Sequence, residues 1–325
     1  MLRFILRRLL ISIPLLLVAS VLVFTVMHLT TDPTAGLRVN PRISAADMAR
    51  YRHDLGLDRS GPAQYFAWLG NFVRGNWGTS LFSGISVSSQ IREALVNSMV
   101  LGITGWLIAV IFGIAIGVIA AVRQYSVFDY LSTSGAFVAL SIPVFWFALI
   151  LQLLFGLYLV RWLHLTEPVF FTAGMVQPGS IGFDLLDRAR HLVLPAIVLA
   201  VQLLAVYSRY MRASMLEVLN SDYLRTARAK GVRERKVIVN HGMRNALIPI
   251  TTQAAIDLGG IAGGLIATEA IFQWPGMGAL FVRAMGDGDY AIALPWVMLT
   301  MAFVILFNLV ADIAYAVLDP RIRYA

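Results

Sequence analysis

Six predominantly apolar stretches, each long enough to cross a lipid bilayer, constrain this chain more than any other feature. A helix needs about 20 consecutive apolar residues to cross the hydrocarbon core of a membrane. The stretches are Leu9–Leu29, Leu95–Val122, Tyr130–Val160, Leu192–Met211, Ile248–Phe272 and Tyr290–Leu318. Of all residues, 58% are hydrophobic and 14% are charged, whereas soluble domains carry about 25% charged residues. The pattern predicts an all-α membrane protein with six transmembrane helices.

The distribution of Lys and Arg predicts the orientation. If the N-terminus is cytoplasmic, the inner segments hold 15 of the 26 basic residues in roughly half the length of the outer segments. Arg3, Arg7 and Arg8 precede the first stretch, as basic residues also precede the apolar core of a cleaved signal peptide. The apolar run is longer than a signal core and no small-x-small cleavage site follows it. We therefore expect both termini in the cytoplasm.

This topology divides the chain into three regions. Residues 1–94 hold the first helix and an extracytoplasmic insertion, residues 95–318 the main transmembrane domain with a cytoplasmic loop at 216–247, and residues 319–325 a cytoplasmic tail. Within the insertion, Ser44 and Gly56 bracket a predicted helix. A second helical face carries Tyr65, Trp68, Leu69 and Phe72. This face packs on the insertion or lies at the lipid interface, or else it receives an external partner.

Small and ionisable residues inside the stretches indicate packing and path positions. The pattern Gly113-x-x-x-Gly117 and the run Gly259, Gly260, Gly263 and Gly264 predict close helix contacts, or a fifth helix that lines a path and moves. Charges at membrane depth face the bundle interior. Glu269 and Asp312 are expected to be solvated or to pair with an arginine such as Arg283, and Asp257 to line a pore or pair helices. The candidates for a translocation path or gate are Asp257, Gly260, Gly264 and Glu269.

Several classes of chemistry find no support in the sequence. There is no cysteine, and the five histidines form no ligand-spaced pair, so no metal site is expected. The chain lacks a Gly-x-x-x-x-Gly-Lys-Ser/Thr loop, a His-Glu-x-x-His motif and a Gly-x-Ser-x-Gly motif. No folded soluble domain presents a basic patch to nucleic acid. We expect no catalytic residue and no cofactor on this chain.

The cytoplasmic loop contains a short helix with its own start and stop signals. Ser221 is a candidate N-cap, and Gly231 can supply the left-handed residue that ends the helix. Tyr223, Leu224 and Ala227 share one face of about nine helical residues, roughly 14 Å long. Basic residues flank that face. The helix either docks a soluble partner or lies on anionic lipid.

The loop resembles the EAA loop of binding-protein-dependent ABC importer permeases. The matching residues run from Asp222 to Gly231 (Asp-Tyr-Leu-Arg-Thr-Ala-Arg-Ala-Lys-Gly) and from His241 to Pro249 (His-Gly-Met-Arg-Asn-Ala-Leu-Ile-Pro). Further matches are Leu2-Arg-Phe-Ile-Leu-Arg-Arg8, Gly75-Asn-Trp-Gly-Thr-Ser80, Glu269-Ala-Ile-Phe-Gln-Trp-Pro-Gly-Met-Gly278 and Leu318-Asp-Pro-Arg-Ile-Arg-Tyr324. Arg225-Thr226-Ala227 stands where the general pattern has Glu-Ala-Ala, which favours the oligopeptide, dipeptide and nickel branch.

The resemblance implies a type I ABC importer permease fold and a permease subunit that moves peptides, with oligopeptides favoured, across the cytoplasmic membrane of a prokaryote. It implies four kinds of partner: a second homologous permease, two ATP-binding subunits or one double ATPase, an extracytoplasmic peptide-binding protein and membrane lipid. ATP and Mg would be bound on the partner subunits.

The resemblance also implies roles for individual residues. Those expected to couple to the ATPase are Asp222, Tyr223, Leu224, Ala227, Arg228, Lys230 and Gly231. Those expected in a loop facing the binding protein are Trp274, Pro275, Gly276, Met277 and Gly278. The alternative for this loop is a compact re-entrant turn with Trp274 at the membrane interface.

Two other classes of function were compared with this one. A proton-driven secondary transporter could use Asp257 or Glu269, but it would carry an inverted repeat with paired broken helices, and the sequence shows none. An intramembrane enzyme would need converging catalytic groups, and no motif supplies them.

Overall fold

The computed structural model describes residues 2–30, 58–80, 82–180 and 182–318, with a few isolated positions between 44 and 56. The helices are α1 Leu2–Thr30, α2 Gly61–Val73, α3 Val87–Val122, α4 Val127–Ser141, α5 Val144–Leu153, α6 Leu185–Leu219, α7 Asp222–Ala229, α8 Ile248–Ile261, α9 Ile266–Ile271, α10 Met277–Asp287 and α11 Tyr290–Leu318. Helix α5 continues through a π-helical turn, Leu154–Tyr158, to Trp162. Between α7 and α8 lies a return segment of short helical pieces, residues 234–246.

The helical-bundle prediction is confirmed, but not as six continuous helices. Five of the described helices are long and apolar enough to cross a membrane: α1, α3, extended α5, α6 and α11. The predicted third span is divided at Ile142 and Pro143, whose extended backbone ends α4 before α5 begins. The predicted fifth span is divided between α8 and α9. With 14 residues, α8 alone is about 21 Å long, shorter than the hydrocarbon core.

The centre of the bundle is the contact between α3 and α6, which run in the same direction. Gly105 lies against Ala196 and Leu199, and the α3 glycines nearer the inner end lie against Tyr207 and Met211. A Cβ at Gly117 would stand 2.5 Å from the Cβ of Met211. Because only glycine permits this approach, the predicted packing role of the Gly113-x-x-x-Gly117 pattern is confirmed.

An ion pair ties the first turn of α4 to the C-terminal part of α6. The carboxylate of Asp129, which is buried, accepts two hydrogen bonds from the Arg212 guanidinium, one of them at 2.8 Å from Nη2. It also accepts the backbone N–H of Tyr125 at 3.0 Å. Two parallel charge-assisted bonds fix both distance and orientation, so these two helix ends are held as one unit.

The aromatic face of α2 packs on this chain. The Tyr65 hydroxyl and Ser20 Oγ on α1 lie 2.7 Å apart, and both side chains are buried. Trp68 packs with Met27 and Leu294. The face therefore packs on α1 and α11, which neither packing on the insertion alone nor an external partner predicted. The predicted helix between Ser44 and Gly56, and the tail 319–325, lie almost wholly outside the described residues.

Glycine backbone geometry explains why α8 and α9 do not join. Gly264 has φ +89°, a left-handed conformation that L side chains rarely adopt, and a Cβ there would stand 2.1 Å from the backbone nitrogen of Gly278. The chain reverses and passes another backbone segment at this point, which no larger residue permits.

Replacing Gly264 with alanine should destabilise the fold, because it adds both backbone strain and an overlap with Gly278. We expect the free energy of unfolding to fall by about 2 kcal/mol or more. A thermal aggregation assay of the purified protein in detergent should show this as a lower midpoint. Gly260→Ala is the matched control, since a Cβ there meets nothing within 4 Å. Equal midpoints for the two variants would contradict the argument.

Candidate functional site

Helix α7 begins and ends where the sequence predicts. It starts at Asp222 after an extended Ser221, and Gly231 follows its end with φ +73°. The N–H of Gly231 donates to the Arg228 carbonyl at 2.9 Å, and the N–H of Val232 donates to the Ala227 carbonyl at 3.3 Å. This pair of bonds is a Schellman motif, which satisfies the last carbonyls of the helix.

The predicted side-chain cap at Ser221 is wrong. Its hydroxyl donates to the Val218 carbonyl at 2.6 Å instead of accepting an N–H of α7. Val218 lies in the last turn of α6, where carbonyls have no helical partner. Ser221 therefore joins the end of α6 to the start of α7.

One buried side chain and one ion pair hold α7 against the chain. Leu224 has no exposed surface, and it lies beside Gly242 of the return segment and near Met215 of α6. The Arg228 guanidinium donates to both carboxylate oxygens of Glu234 at 2.9–3.2 Å and to the Leu219 carbonyl at 3.2 Å. Helix α7 is thus fixed to both α6 and the return segment.

The Arg228 guanidinium hydrogen-bonds Glu234 and lowers the pKa of that carboxyl below its usual value of 4.5, and the carboxylate in turn raises the pKa of the guanidinium. Both side chains are more than a third exposed, so water and salt screen the pair.

The solvent-facing side of α7 differs from the predicted one. Asp222, Thr226 and Ala229 are exposed and share a helical stripe, opposite Leu224. Arg225, Tyr223, Lys230 and Gly231 are also exposed. We call this set of exposed residues the α7 outer face. Among the predicted coupling residues, Leu224 and Arg228 contact their own chain and Ala227 is half-buried. Thr226 and Ala229 are exposed although they are not among the predicted residues, and Leu224, the one large aliphatic residue of the helix, lies on the opposite, buried side. The coupling role stays a prediction.

A second cluster surrounds the carboxylate of Glu269, which is completely buried. It accepts the Ser98 hydroxyl at 2.7 Å, the backbone N–H of Leu265 at 2.9 Å and the backbone N–H of Ala279 at 3.0 Å. Ser98 Oγ also accepts the N–H of Met277 at 2.7 Å. The carboxylate thus joins α3, the start of α9 and the first turn of α10, where helix dipoles favour negative charge.

We call residues 262–280 the outer segment, after the side of the membrane on which the sequence predicts them. Indole and amide groups bond this segment to neighbouring helices. Trp274 Nε1 donates to the Asn97 carbonyl at 2.9 Å, and Asn97 Nδ2 donates to the Pro275 carbonyl at 2.9 Å. Trp296 Nε1 donates to the Met277 carbonyl at 2.8 Å. The outer segment is therefore bonded to α3 and to α11.

Two sequence expectations about the outer segment are wrong. Glu269 is neither solvated nor paired with Arg283; its partners are neutral donors. Trp274 is 1% exposed and does not reach an interface. Gly276, Met277 and Gly278 are buried as well, whereas Pro275 is exposed. A contact with a binding protein stays a prediction, and only Pro275 of the five residues offers it a surface.

The loop between α5 and α6 is bonded to the outer segment. Gln152 Nε2 donates to the carbonyls of Thr172 and Ile271 at 2.7 and 2.9 Å. The N–H of Gly174 donates to the Phe272 carbonyl at 2.8 Å. One amide side chain thus joins α5, this loop and the end of α9.

Family models cover most of the chain. Residues 113–324 match the family of binding-protein-dependent transport system inner membrane components, and residues 1–84 match the N-terminal region of such membrane components. The chain is a member of this family. Family membership decides against the secondary transporter and the intramembrane enzyme, and it makes the chain a multi-pass inner membrane permease.

Relatives match the permease along its whole length. The oligopeptide transport system permease protein AppB of Bacillus subtilis is 40% identical over 322 residues, covering 99% of each chain. A putative peptide permease of Brucella suis is 41% identical over 326 residues, covering 99% of each chain. The glutathione transport system permease protein GsiC of Salmonella typhimurium is 37% identical over 324 residues, covering 100% of each chain.

A solved structure supports the type I ABC importer permease fold. A chain of the MetNI methionine ABC transporter, solved in inward-facing conformations, matches with a TM-score of 0.53 and 14% identity, covering 70% of the permease and 96% of that chain. At this identity the likeness concerns the fold alone.

The remaining candidate path residues lie on α8. The carboxylate of Asp257 is half-buried; it accepts the Tyr207 hydroxyl at 2.7 Å and Gln253 Nε2 at 3.0 Å. Gly260, one turn further along, is exposed. Within the described part of the permease, no group of three His, Cys, Asp or Glu side chains is placed to hold a metal ion.

Glu269→Gln should destabilise the permease even though the side chain keeps its shape. One amide oxygen can still accept two bonds, but the amide nitrogen meets the N–H of Ala279, so a buried donor is left unpaired. We expect the free energy of unfolding to fall by about 1–3 kcal/mol, which is measured as a lower thermal midpoint in detergent.

Ser98→Ala provides a coupled test of the same cluster. It removes one donor to Glu269 and the acceptor of the Met277 N–H, so its effect should not add to that of Glu269→Gln in the double variant. Additive losses would show that the two residues stabilise the fold separately.

The Arg228–Glu234 pair should contribute a small, pH-dependent stability. Because the folded pKa of Glu234 is lowered, the contribution is present above about pH 4.5 and is lost as the pH falls through the folded pKa. Glu234→Gln should lower the free energy of unfolding by about 0.5 kcal/mol at pH 7. Denaturant titrations at several pH values measure this, and a difference that persists well below pH 4 would contradict it.

Proposed function

We propose that this permease forms half of the translocation path of an ATP-driven importer that carries peptides, oligopeptides in particular, into the cytoplasm. The observation that carries this proposal is full-length identity of about 40% with permeases named for oligopeptides and peptides. The second half of the path would come from a homologous permease chain. An extracytoplasmic peptide-binding protein would deliver the cargo.

The α7 outer face is the proposed contact with an ATP-binding subunit. Leu224 and Arg228 hold the helix against its own chain, while Thr226 and Ala229 on the other side are exposed. The sequence has no phosphate-binding loop, so ATP and Mg would be bound by two ATPase subunits or one double ATPase. This permease then needs no catalytic residue of its own.

Force on α7 has a short structural route into the membrane. Helix α6 is continuous for 35 residues and ends three residues before α7 begins, with Ser221 bonded across the junction. The Arg212–Asp129 pair joins α6 to α4. A push on α7 is therefore expected to move α6 as a rigid unit and to carry the first turn of α4 with it. In this arrangement both chain termini lie in the cytoplasm.

Reconstitution of the complete importer tests the proposed function. Proteoliposomes holding both permeases and the ATPases, with the binding protein added, should take up an oligopeptide only when ATP is present on the cytoplasmic side. Glutathione serves as a competing cargo, because other relatives are named for it. Glutathione uptake without oligopeptide uptake would overturn the oligopeptide assignment.

Ala229→Trp should uncouple the permease from its ATPase. A large side chain on the α7 outer face would hinder a close contact, and we expect ATP-driven uptake to fall by about tenfold or more while membrane insertion is unchanged. Co-purification of the ATPase and peptide uptake measure the effect.

Ala67→Trp is the matched control for this variant, because Ala67 is an exposed alanine on α2, distant in the chain from α7. It should retain uptake. Full uptake by Ala229→Trp would exclude the α7 outer face as the ATPase contact.

A further inference from the structure

The carboxylate of Asp257 differs from that of Asp129 in its hydrogen-bond partners. Asp129 is paired with Arg212, whereas the hydrogen-bond partners of Asp257 are the neutral side chains of Tyr207 and Gln253. A charged group at membrane depth costs roughly 2.5–3.5 kcal/mol on insertion scales. If the hydrogen bond to Tyr207 only joined α8 to α6, an uncharged acceptor would serve as well as a carboxylate.

The position of Asp257 on α8 brings it to the edge of an open stripe. Pro249, Ile256 and Gly260 are exposed and recur on one face at helical spacing. Gln253 and Asp257 lie at the margin of that face, next to the side that packs on α6. Beside them, a Cβ at Gly260 would meet nothing within 4 Å.

The hydrogen bonds of Asp257 leave room for a cation. Each carboxylate oxygen has two lone pairs, and in this arrangement Oδ2 accepts one bond from Tyr207 and Oδ1 one bond from Gln253. One donor comes from α6 and the other from α8 itself, and each carboxylate oxygen keeps a lone pair that neither donor uses. The two donors are neutral groups that fix the orientation of the carboxylate.

We propose that Asp257 is a cation subsite of the path, and that it binds the protonated amines of a passing peptide, such as the ammonium group of a lysine side chain. This inference rests on the proposed function, because it requires a peptide in contact with the open stripe of α8. It makes Asp257 a specificity-determining residue that favours basic over neutral peptides. Tyr207 and Gln253 act as positioning residues.

A pair of peptides that differ in one charge tests the proposal. One oligopeptide carries a central lysine, and its partner carries N-ε-acetyllysine at the same place. Uptake of each is measured in proteoliposomes with the complete importer, for wild type and for Asp257→Asn. The binding protein is the same throughout, so its own preference cancels when each variant is compared with wild type.

Asp257→Asn should lower the uptake of the lysine peptide relative to the acetyllysine peptide by about three- to tenfold, the size of a partly solvated charge-assisted bond. Asp257→Glu should keep the preference. Asp312→Asn, the same chemical change in α11, is the control and should leave the ratio at its wild-type value.

The outcomes separate this inference from the proposed function. Equal losses for both peptides in Asp257→Asn would overturn the subsite and assign Asp257 to helix pairing. A poorly folded variant is recognised by its thermal midpoint, and Asp257→Glu then decides by keeping or losing the preference. If the wild-type importer moves neither peptide with ATP, the proposed function itself fails.

Discussion

A buried carboxylate that accepts hydrogen bonds from neutral donors organises the outer segment of this permease. Glu269 is surrounded by donors from three places: a serine on α3 and backbone N–H groups at the starts of α9 and α10. Breaking a helix at membrane depth leaves backbone groups that water cannot satisfy. The Glu269 carboxylate satisfies two of them directly, and Ser98 satisfies a third at Met277. This one side chain thus collects N–H groups that the break at Gly264 leaves without helical partners.

Glycine contacts give the bundle close helix packing next to this cluster. Close approach at Gly105, Gly113 and Gly117 lets α3 and α6 touch along most of their length. Because α3 also carries Ser98 and Asn97, the same helix that packs on α6 anchors the outer segment. Helix α6 is therefore connected to the outer segment through α3 by direct packing and hydrogen bonds.

The sequence predicts the regular parts of this architecture because they follow from patterns in neighbouring residues. Apolar length identifies the long helices, the Gly113-x-x-x-Gly117 pattern identifies a contact face, and Gly231 marks the end of α7. The break between α8 and α9 was not predicted, because its cause is the contact of Gly264 with Gly278, fourteen residues away. The Ser98 donor to Glu269 was missed for the same reason, since Ser98 is 171 residues distant in sequence.

The orientation of α7 has a more local cause. An amphipathic helix beneath a membrane has two neighbours, its own chain and a partner, and small residues alone do not say which side faces which. Leu224 settles the question in the structure, because the largest apolar side chain is buried first and takes the inner side. The exposed side then carries small and polar residues, Thr226 and Ala229 among them. In the proposed contact with an ATP-binding subunit, such a surface would suit binding that forms and releases, since it carries no large apolar patch when the partner is absent.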